Sequence, residues 1–154
     1  MKRILDACCG SRMFWFDKED KRVLFQDKRK TKDKLCDGRF LEIDPDVVGD
    51  FTKMEFKDNT FNLVVFDPPH LIRVGKKSWM AKKYGSLTDN WRYDLSKGFN
   101  ECFRVLKNGG VLIFKWNERD IKVSDVLNLT ENKPLFGHKT RHNGQTIWIA
   151  FMKA

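Results

Sequence analysis

The sequence predicts an α/β fold built on a largely parallel sheet with an antiparallel edge. Three observations predict it. Short apolar runs alternate with polar or helix-patterned stretches, the run at 62–66 is stopped by Asp67-Pro68-Pro69, and the chain closes on two strand-like runs joined at Asn143-Gly144. A length of 154 residues leaves room for one domain and one core. The chain is 41% hydrophobic and 13% aromatic, enough for a packed interior and too much for a disordered chain.

Each element has its own reason. Residues 3–8 (Arg-Ile-Leu-Asp-Ala-Cys) predict a short buried strand that ends at a turn around Gly10. Residues 22–27 predict a second strand. Residues 28–39 are polar and basic and have no apolar face, so they predict a loop or a poor helix. Residues 47–49 make a short apolar step before Asp50, and 62–66 (Asn-Leu-Val-Val-Phe) give the strongest central-strand signal. The best helix covers 89–107, where Trp91, Leu95, Phe99, Cys102, Phe103 and Leu106 recur at helical spacing before Asn108-Gly109-Gly110. Residues 111–116 predict the next strand, 122–129 a short helix, and 134–140 and 145–152 the closing hairpin. There are no internal repeats, and no linker divides the chain.

Charge narrows the partners. Lys and Arg number 30 against 21 Asp and Glu, a net charge of +9 that favours polyanions such as nucleic acid or anionic lipid. No apolar run approaches the roughly 18 residues of a membrane span. The opening Met1-Lys2-Arg3-Ile4-Leu5-Asp6 is basic, but Asp6 interrupts it, so no signal peptide is expected. Cys8, Cys9, Cys36 and Cys102 show no zinc spacing and predict a reduced, cytoplasmic chain. His138 and His142 lack acidic or thiol neighbours in sequence, so no metal site is expected.

In open α/β sheets ligands bind at the carboxyl ends of the strands. Four successive predicted ends carry an acid: Asp6, Asp27, Asp50 and Asp67. Gly10 lets the backbone approach a ligand closely. Asp27 follows Asp6 by 21 residues, the distance at which a second-strand acid meets ribose hydroxyls. Asp50 is placed to accept from an adenine amino group, with Phe51 flanking the ring. A dehydrogenase is excluded, because the first turn lacks G-x-G-x-x-G and such enzymes have no use for Asp-Pro-Pro.

On these residues the chain resembles a class I S-adenosylmethionine-dependent methyltransferase over nearly its whole length. Within that superfamily it is similar to amino-methyltransferases that modify exocyclic nitrogens of nucleic-acid bases. Their fourth-strand motif is Asp/Asn/Ser-Pro-Pro followed by an aromatic, and their first motif often reads Asp-x-x-x-Gly-Ser/Thr-Gly. Here these read Asp67-Pro68-Pro69-His70 and Asp6-Ala7-Cys8-Cys9-Gly10-Ser11-Arg12. The resemblance implies a Rossmann-like, mixed seven-stranded sheet with an antiparallel last strand and reduced helices. It implies S-adenosylmethionine as cofactor, with Asp6, Ala7, Cys8, Gly10 and Ser11 cradling its methionine part. Asp27 would then bind the ribose, and Asp50 and Phe51 the adenine. The compact form is also similar to small methyltransferases of bacteria and their phages.

Two positions depart from the pattern. Arg12 replaces the last glycine of the first motif, so its side chain either points away or meets the cofactor carboxylate. His70 stands where Tyr, Phe or Trp is usual, and stacks on a base more weakly than a large ring. The stretch 11–20 also leaves little room for a full first helix.

The implied chemistry is positioning. Asp67 and the carbonyl of Pro68 accept the two N–H groups of an exocyclic amine, aiming its lone pair at the methyl group. The prolines hold those acceptors still, and His70 stacks on the target ring or hydrogen-bonds its edge. From Pro68 to Thr88 there is no acid, while Arg73, Lys76, Lys77, Lys82 and Lys83 interleave with Trp79 and Tyr84. Basic groups suit phosphates and aromatic rings suit unpaired bases, so this loop is the expected substrate contact. The resemblance implies a single methyltransferase domain over 1–154, and no separate target-recognition domain is expected. Reading a duplex by sequence would therefore need a homodimer or a partner protein. DNA and RNA both remain open as substrates. The alternatives are a methyltransferase for a small molecule or protein amide, and a non-catalytic relative of the fold.

Overall fold

The computed structural model describes residues 2–35, 37–72 and 85–154. In chain order the elements are β1 (Ile4–Asp6), β2 (Val23–Asp27), β3 (Thr31–Lys34), β4 (Phe40–Ile43), β5 (Val47–Val48), β6 (Phe61–Phe66), α1 (Trp91–Val105), β7 (Leu106–Asn117), α2 (Val123–Leu127), β8 (Phe136–Lys139) and β9 (Thr146–Met152).

The large sheet has seven strands in the order β5-β2-β1-β6-β7-β9-β8. β5, β2, β1, β6 and β7 pair in parallel. β9 runs antiparallel to both β7 and β8, so it is the one reversed strand. The expected mixed sheet with an antiparallel last strand is therefore present. The reversal of strand order beside β1 opens a crevice at the carboxyl ends of β1 and β6, where ligands of such sheets bind.

One expectation needs correction. Residues 28–39 are not merely a loop or poor helix: Thr31–Lys34 forms β3, which pairs antiparallel with β4. The strand was hidden because β3 has no apolar alternation of its own. Its partner supplies the pattern, with Leu41 and Ile43 buried against Leu35 and the opposite charges of Lys32 and Glu42 directly paired. The helices are reduced, as the resemblance implies. Turns alone join β1 to β2, the small hairpin lies between β2 and β5, and turns lead from β5 to β6. Among the described residues two helices join strands that run the same way, α1 between β6 and β7 and the short α2 between β7 and β8. The 11–20 stretch sets Phe14, Trp15 and Phe16 in succession, a spacing that no single helical face can bury.

α1 follows its sequence pattern. Leu95, Phe99 and Cys102 are fully buried, and Phe99 meets Phe66 of β6 and Phe114 of β7 with ring centroids 5.4 and 4.9 Å apart. Burying each such ring contributes roughly 1.5–3 kcal/mol. The helix ends at Val105, two residues before the predicted limit, and β7 begins at once. Register with β6 shifts between Phe61 and Leu63, so the Asn108-Gly109-Gly110 signal marks an irregularity inside the strand. On the other face, Trp15 packs edge-on against Phe25 of β2 and Phe14 against Trp148 of β9. No helix among the described residues is long and apolar enough to cross a membrane.

Candidate active site

The carboxyl ends of β1, β2, β5 and β6 surround a cavity of about 410 Å³. Its wall includes Ala7, Cys8, Gly10, Ser11, Asp27, Phe51, Asp67, Pro68, Pro69 and His70. Gly85 and Ser86 line it too, and a Cβ on Gly85 would lie 3.2 Å from Cγ of Pro69. Small-molecule sites span about 300–1,000 Å³, so the size suits a cofactor-sized ligand.

The loop after β1 is held from beneath. Asp6 is fully buried and stands behind the cavity wall rather than in it. Its Oδ2 accepts from the Trp15 indole N–H at 2.7 Å, and its Oδ1 from the Cys8 amide at 3.3 Å. Burial pushes its carboxyl up to about 7 against the pull of Trp15. Gln26 adds a second tie, donating to the Ala7 carbonyl at 3.2 Å while its own carbonyl accepts from the Cys9 amide at 2.8 Å. Gly10 takes φ +51°, a left-handed conformation that lays bare backbone along the cavity.

Arg12 also has positive φ, at 60°, and its side chain points away from the cavity. It donates to the carbonyls of Lys18 and Asp44, and its guanidinium lies 3.9 Å from the centre of the Phe25 ring. Of the two orientations open to Arg12, the structure shows the outward one. Burial pushes Cys8, Cys9 and Cys102 upward, Cys9 to about 12, so none of these thiols is primed as a nucleophile.

Asp27 links two walls. Its Oδ2 accepts from the Gly10 amide at 2.8 Å, and its Oδ1 from the Arg29 amide at 2.9 Å and the Arg29 side chain at 3.3 Å. A carboxylate offers about four acceptor sites, so Oδ2 keeps capacity for a ligand hydroxyl. Phe51 lines the cavity with its ring packed edge-on to Phe66 at 5.2 Å. Asp50, its neighbour, is not part of the wall. Its Oδ1 accepts from the amide and hydroxyl of Thr52 at 2.9 and 2.7 Å, and Lys28 lies 3.8 Å from its Oδ2. Burial raises this carboxyl, but Thr52 and Lys28 outweigh it and hold it below the usual range.

Asp67 follows the last residue of β6, one step beyond the paired Phe66 and Phe114. That register brings Lys115 of β7 alongside, with its ammonium 3.6 Å from Oδ2 of Asp67. Burial pushes the Asp67 carboxyl up to about 6, and Lys115 restrains the rise. The same ammonium stands 5.2 Å from the Phe14 ring centre and 5.4 Å from that of Trp148. His70 lies edge-on to Trp116, centroids 6.2 Å apart, and burial with nearby Lys115 lowers its imidazole to about 4. It is therefore neutral near pH 7.

Arg73, Lys76, Lys77, Trp79, Lys82, Lys83 and Tyr84, the expected substrate contacts, lie outside the described residues. Sequence reasoning missed Trp15, Gln26 and Lys115. Lys115 had a signal: a lone cation in the apolar run Val-Leu-Ile-Phe-Lys-Trp, near the end of a strand. Trp15 and Gln26 had none, because their roles depend on which carboxyl or carbonyl the fold brings near.

No family model matches the chain, and no curated protein sequence matches it. Solved structures do. A TehB-like SAM-dependent methyltransferase from Corynebacterium glutamicum superposes with a TM-score of 0.61 at 17% identity, over 99% of this chain and 80% of that one. A SAM-dependent methyltransferase from Leishmania major gives 0.60 at 16% identity, over 99% and 65%. Geranyl diphosphate C-methyltransferase from Streptomyces coelicolor, solved with geranyl diphosphate and S-adenosyl-L-homocysteine, gives 0.57 at 12% identity, over 100% and 71%. The chain thus has the Rossmann-like fold of the SAM-dependent methyltransferases.

Proposed function

We propose that this chain transfers a methyl group from S-adenosylmethionine to an exocyclic amino group of a nucleic-acid base, adenine N6 first among them. The observation that carries the reading is a meeting: Asp67-Pro68-Pro69 shares one cavity with Gly10, Asp27 and Phe51. These residues fit the cofactor by their chemistry. The exposed backbone at Gly10 suits an amino-acid head group, the spare acceptor site on Asp27 suits a ribose hydroxyl, and the Phe51 ring suits the adenine face. Asp6 supports this cradle from behind, through Trp15 and Cys8.

When bound, S-adenosylmethionine supplies a methyl group on a positively charged sulfur, already activated for in-line displacement. What remains for the chain is to aim the acceptor. An exocyclic amine is a poor nucleophile because its lone pair is delocalised into the ring. Ionised Asp67 accepts one N–H and the Pro68 carbonyl the other, favouring a pyramidal nitrogen whose lone pair faces the methyl group. The two prolines restrict the backbone that carries these acceptors. Neutral His70 offers a flat face or an edge to the base, without the desolvation cost of an imidazolium. The nitrogen gives up its proton after it becomes cationic, so no strong base is needed beforehand.

Nucleic acid is favoured as acceptor by the net charge of +9 and by the acid-free stretch from Pro68 to Thr88. A single strand suits the reading best, because a base inside a duplex must first be flipped out. A homodimer or partner would supply sequence-specific reading of a duplex. A small-molecule acceptor is the second reading, favoured by the likeness to a methyltransferase solved with geranyl diphosphate.

The test is transfer of labelled methyl from S-adenosylmethionine to duplex DNA, single-stranded DNA and total RNA in parallel. Label in one nucleic-acid pool, recovered as a methylated amino group after nuclease digestion, supports the proposal. Cofactor binding without label in any pool would shift the acceptor to a small molecule or protein. Absence of cofactor binding would favour a non-catalytic relative of the fold.

A further inference from the structure

A second groove has a volume of about 520 Å³. It is lined by Lys115, Asn117, residues 140–141 and 143–146, and Trp148. The carboxyl end of β8 leads into this turn, so the groove lies at the same end of the sheet as Asp67. Lys115 links the two: it lines this groove, and its ammonium stands 3.6 Å from Asp67, which lines the first cavity.

The groove has the chemistry of a nucleotide subsite. Among the described residues its lining contains two cations, Lys115 and Arg141, and no acid. Glu118, just outside it, is matched by Lys139 at 3.8 Å. Trp148 is partly exposed, edge-on to Phe14 at 5.3 Å, with the Lys115 ammonium over its ring at 5.4 Å from the centre. The turn is fixed by its own bonds. The Thr140 amide donates to the Thr146 carbonyl at 2.9 Å, the Gly144 amide to the Arg141 carbonyl at 2.9 Å, and the Asn117 side chain to the Thr146 hydroxyl at 3.1 Å. Arg141 is thus an exposed cation on a defined turn rather than on a loose end.

Resting on the nucleic-acid reading above, we propose that this groove holds a nucleotide flanking the methylated one on a single strand. Arg141 and Lys115 take the phosphodiester, and Trp148 takes the flanking base. Cations that neutralise phosphates give sequence-independent, salt-sensitive affinity, and an aromatic face accepts any base. The strand would pass from His70 over Lys115 to the β8–β9 turn, so the groove sets the direction in which the chain reads it. The amide and carbonyl groups of Asn143 and Gln145 provide contacts to base edges.

The test is fluorescence anisotropy with labelled ten-nucleotide single-stranded DNA and RNA, across a salt series, using the full chain. Arg141→Glu is compared with Lys57→Glu, which makes the same charge change at the opposite end of the sheet, before β6. Arg141→Glu should weaken strand binding about tenfold and lower the salt slope, with S-adenosylmethionine affinity unchanged by calorimetry. Lys57→Glu should weaken it less than about twofold. Equal effects of the two variants, or none from Arg141→Glu, would overturn the groove while leaving the nucleic-acid reading intact. Failure of the wild type to bind either strand, with cofactor binding preserved, would overturn the nucleic-acid reading itself.

Discussion

The ammonium of Lys115 and Oδ2 of Asp67 lie 3.6 Å apart, joined by the parallel register of β6 and β7. The pair has a consequence for pH. Burial pushes the Asp67 carboxyl up to about 6, and Lys115 pulls against that rise. In the proposed mechanism the ionised carboxylate aims the acceptor amine, so activity should fall as pH drops through this value. Lys115→Met removes the restraint, and the acidic limb of the kcat profile should move up by roughly one unit. At saturating acceptor, the variant should lose rate near neutral pH and recover it toward about pH 8.5. Lys115→Arg should stay close to the wild-type profile. A uniform loss at all pH values would mean that Lys115 acts on something other than Asp67.

Trp15 should matter to stability in a pH-dependent way. Its indole donates to buried Asp6, whose carboxyl is raised from 3.8 to about 7. A raised carboxyl costs stability as pH climbs between those values, because the folded state must give up a proton it holds more tightly. Trp15→Phe keeps the ring but deletes the donor, lifting that carboxyl further. We expect a loss of about 1–3 kcal/mol, larger near pH 8.5 than near pH 5.5. Thermal melts at the two pH values measure it.

Asp27 serves the cavity through Gly10. Asp27→Ala leaves the Gly10 amide without its acceptor at 2.8 Å and removes the carboxylate that we propose meets the ribose. S-adenosylmethionine affinity should fall about tenfold or more, equivalent to roughly 1.4 kcal/mol. Calorimetric titration checks it.

Gly98 on α1 is a packing requirement that reaches the site. A Cβ there would stand 2.6 Å from Cζ of Phe66 and 2.8 Å from Cδ1 of Phe51. Gly98→Ala gains up to about 1 kcal/mol of helix propensity, yet overpacking typically costs about 1–3 kcal/mol. The net result should be a lower melting temperature. Because Phe51 lines the cavity, cofactor affinity should fall as well, about threefold or more for a displacement worth roughly 0.7 kcal/mol. Unchanged cofactor affinity would show that the helix moves and the ring does not.

Much of the fold was legible because the informative residues act locally. The run at 62–66 and its Asp-Pro-Pro stop mark β6, and the spacing of Trp91, Leu95, Phe99 and Cys102 marks α1. β3 was not legible, because Thr-Lys-Asp-Lys becomes a strand through its partner Phe-Leu-Glu-Ile rather than through its own pattern. The same division holds at the site. Gly10, Asp27, Phe51 and Asp67 sit at strand ends and reach one cavity, as their positions suggest. Asp6 and Asp50 sit at strand ends too, yet Trp15 and Thr52 engage them away from the wall. A strand-end acid is visible in sequence, but the donor that claims its oxygens is chosen by tertiary contact. Lys115 belongs to the same class, since its meeting with Asp67 depends on a register that no local pattern encodes.

The most direct test separates cofactor binding from methyl transfer at Asp67. Wild type, Asp67→Ala and Asp67→Asn are titrated with S-adenosylmethionine and then assayed for label transfer to the preferred nucleic-acid pool. The account predicts cofactor affinities within about threefold of one another, a shift of roughly 0.7 kcal/mol or less. It predicts transfer reduced at least about a hundredfold in Asp67→Ala, with Asp67→Asn retaining part of it as a neutral acceptor. Wild-type rates in Asp67→Ala would contradict it, and so would a wild-type chain that binds the cofactor and labels no nucleic acid.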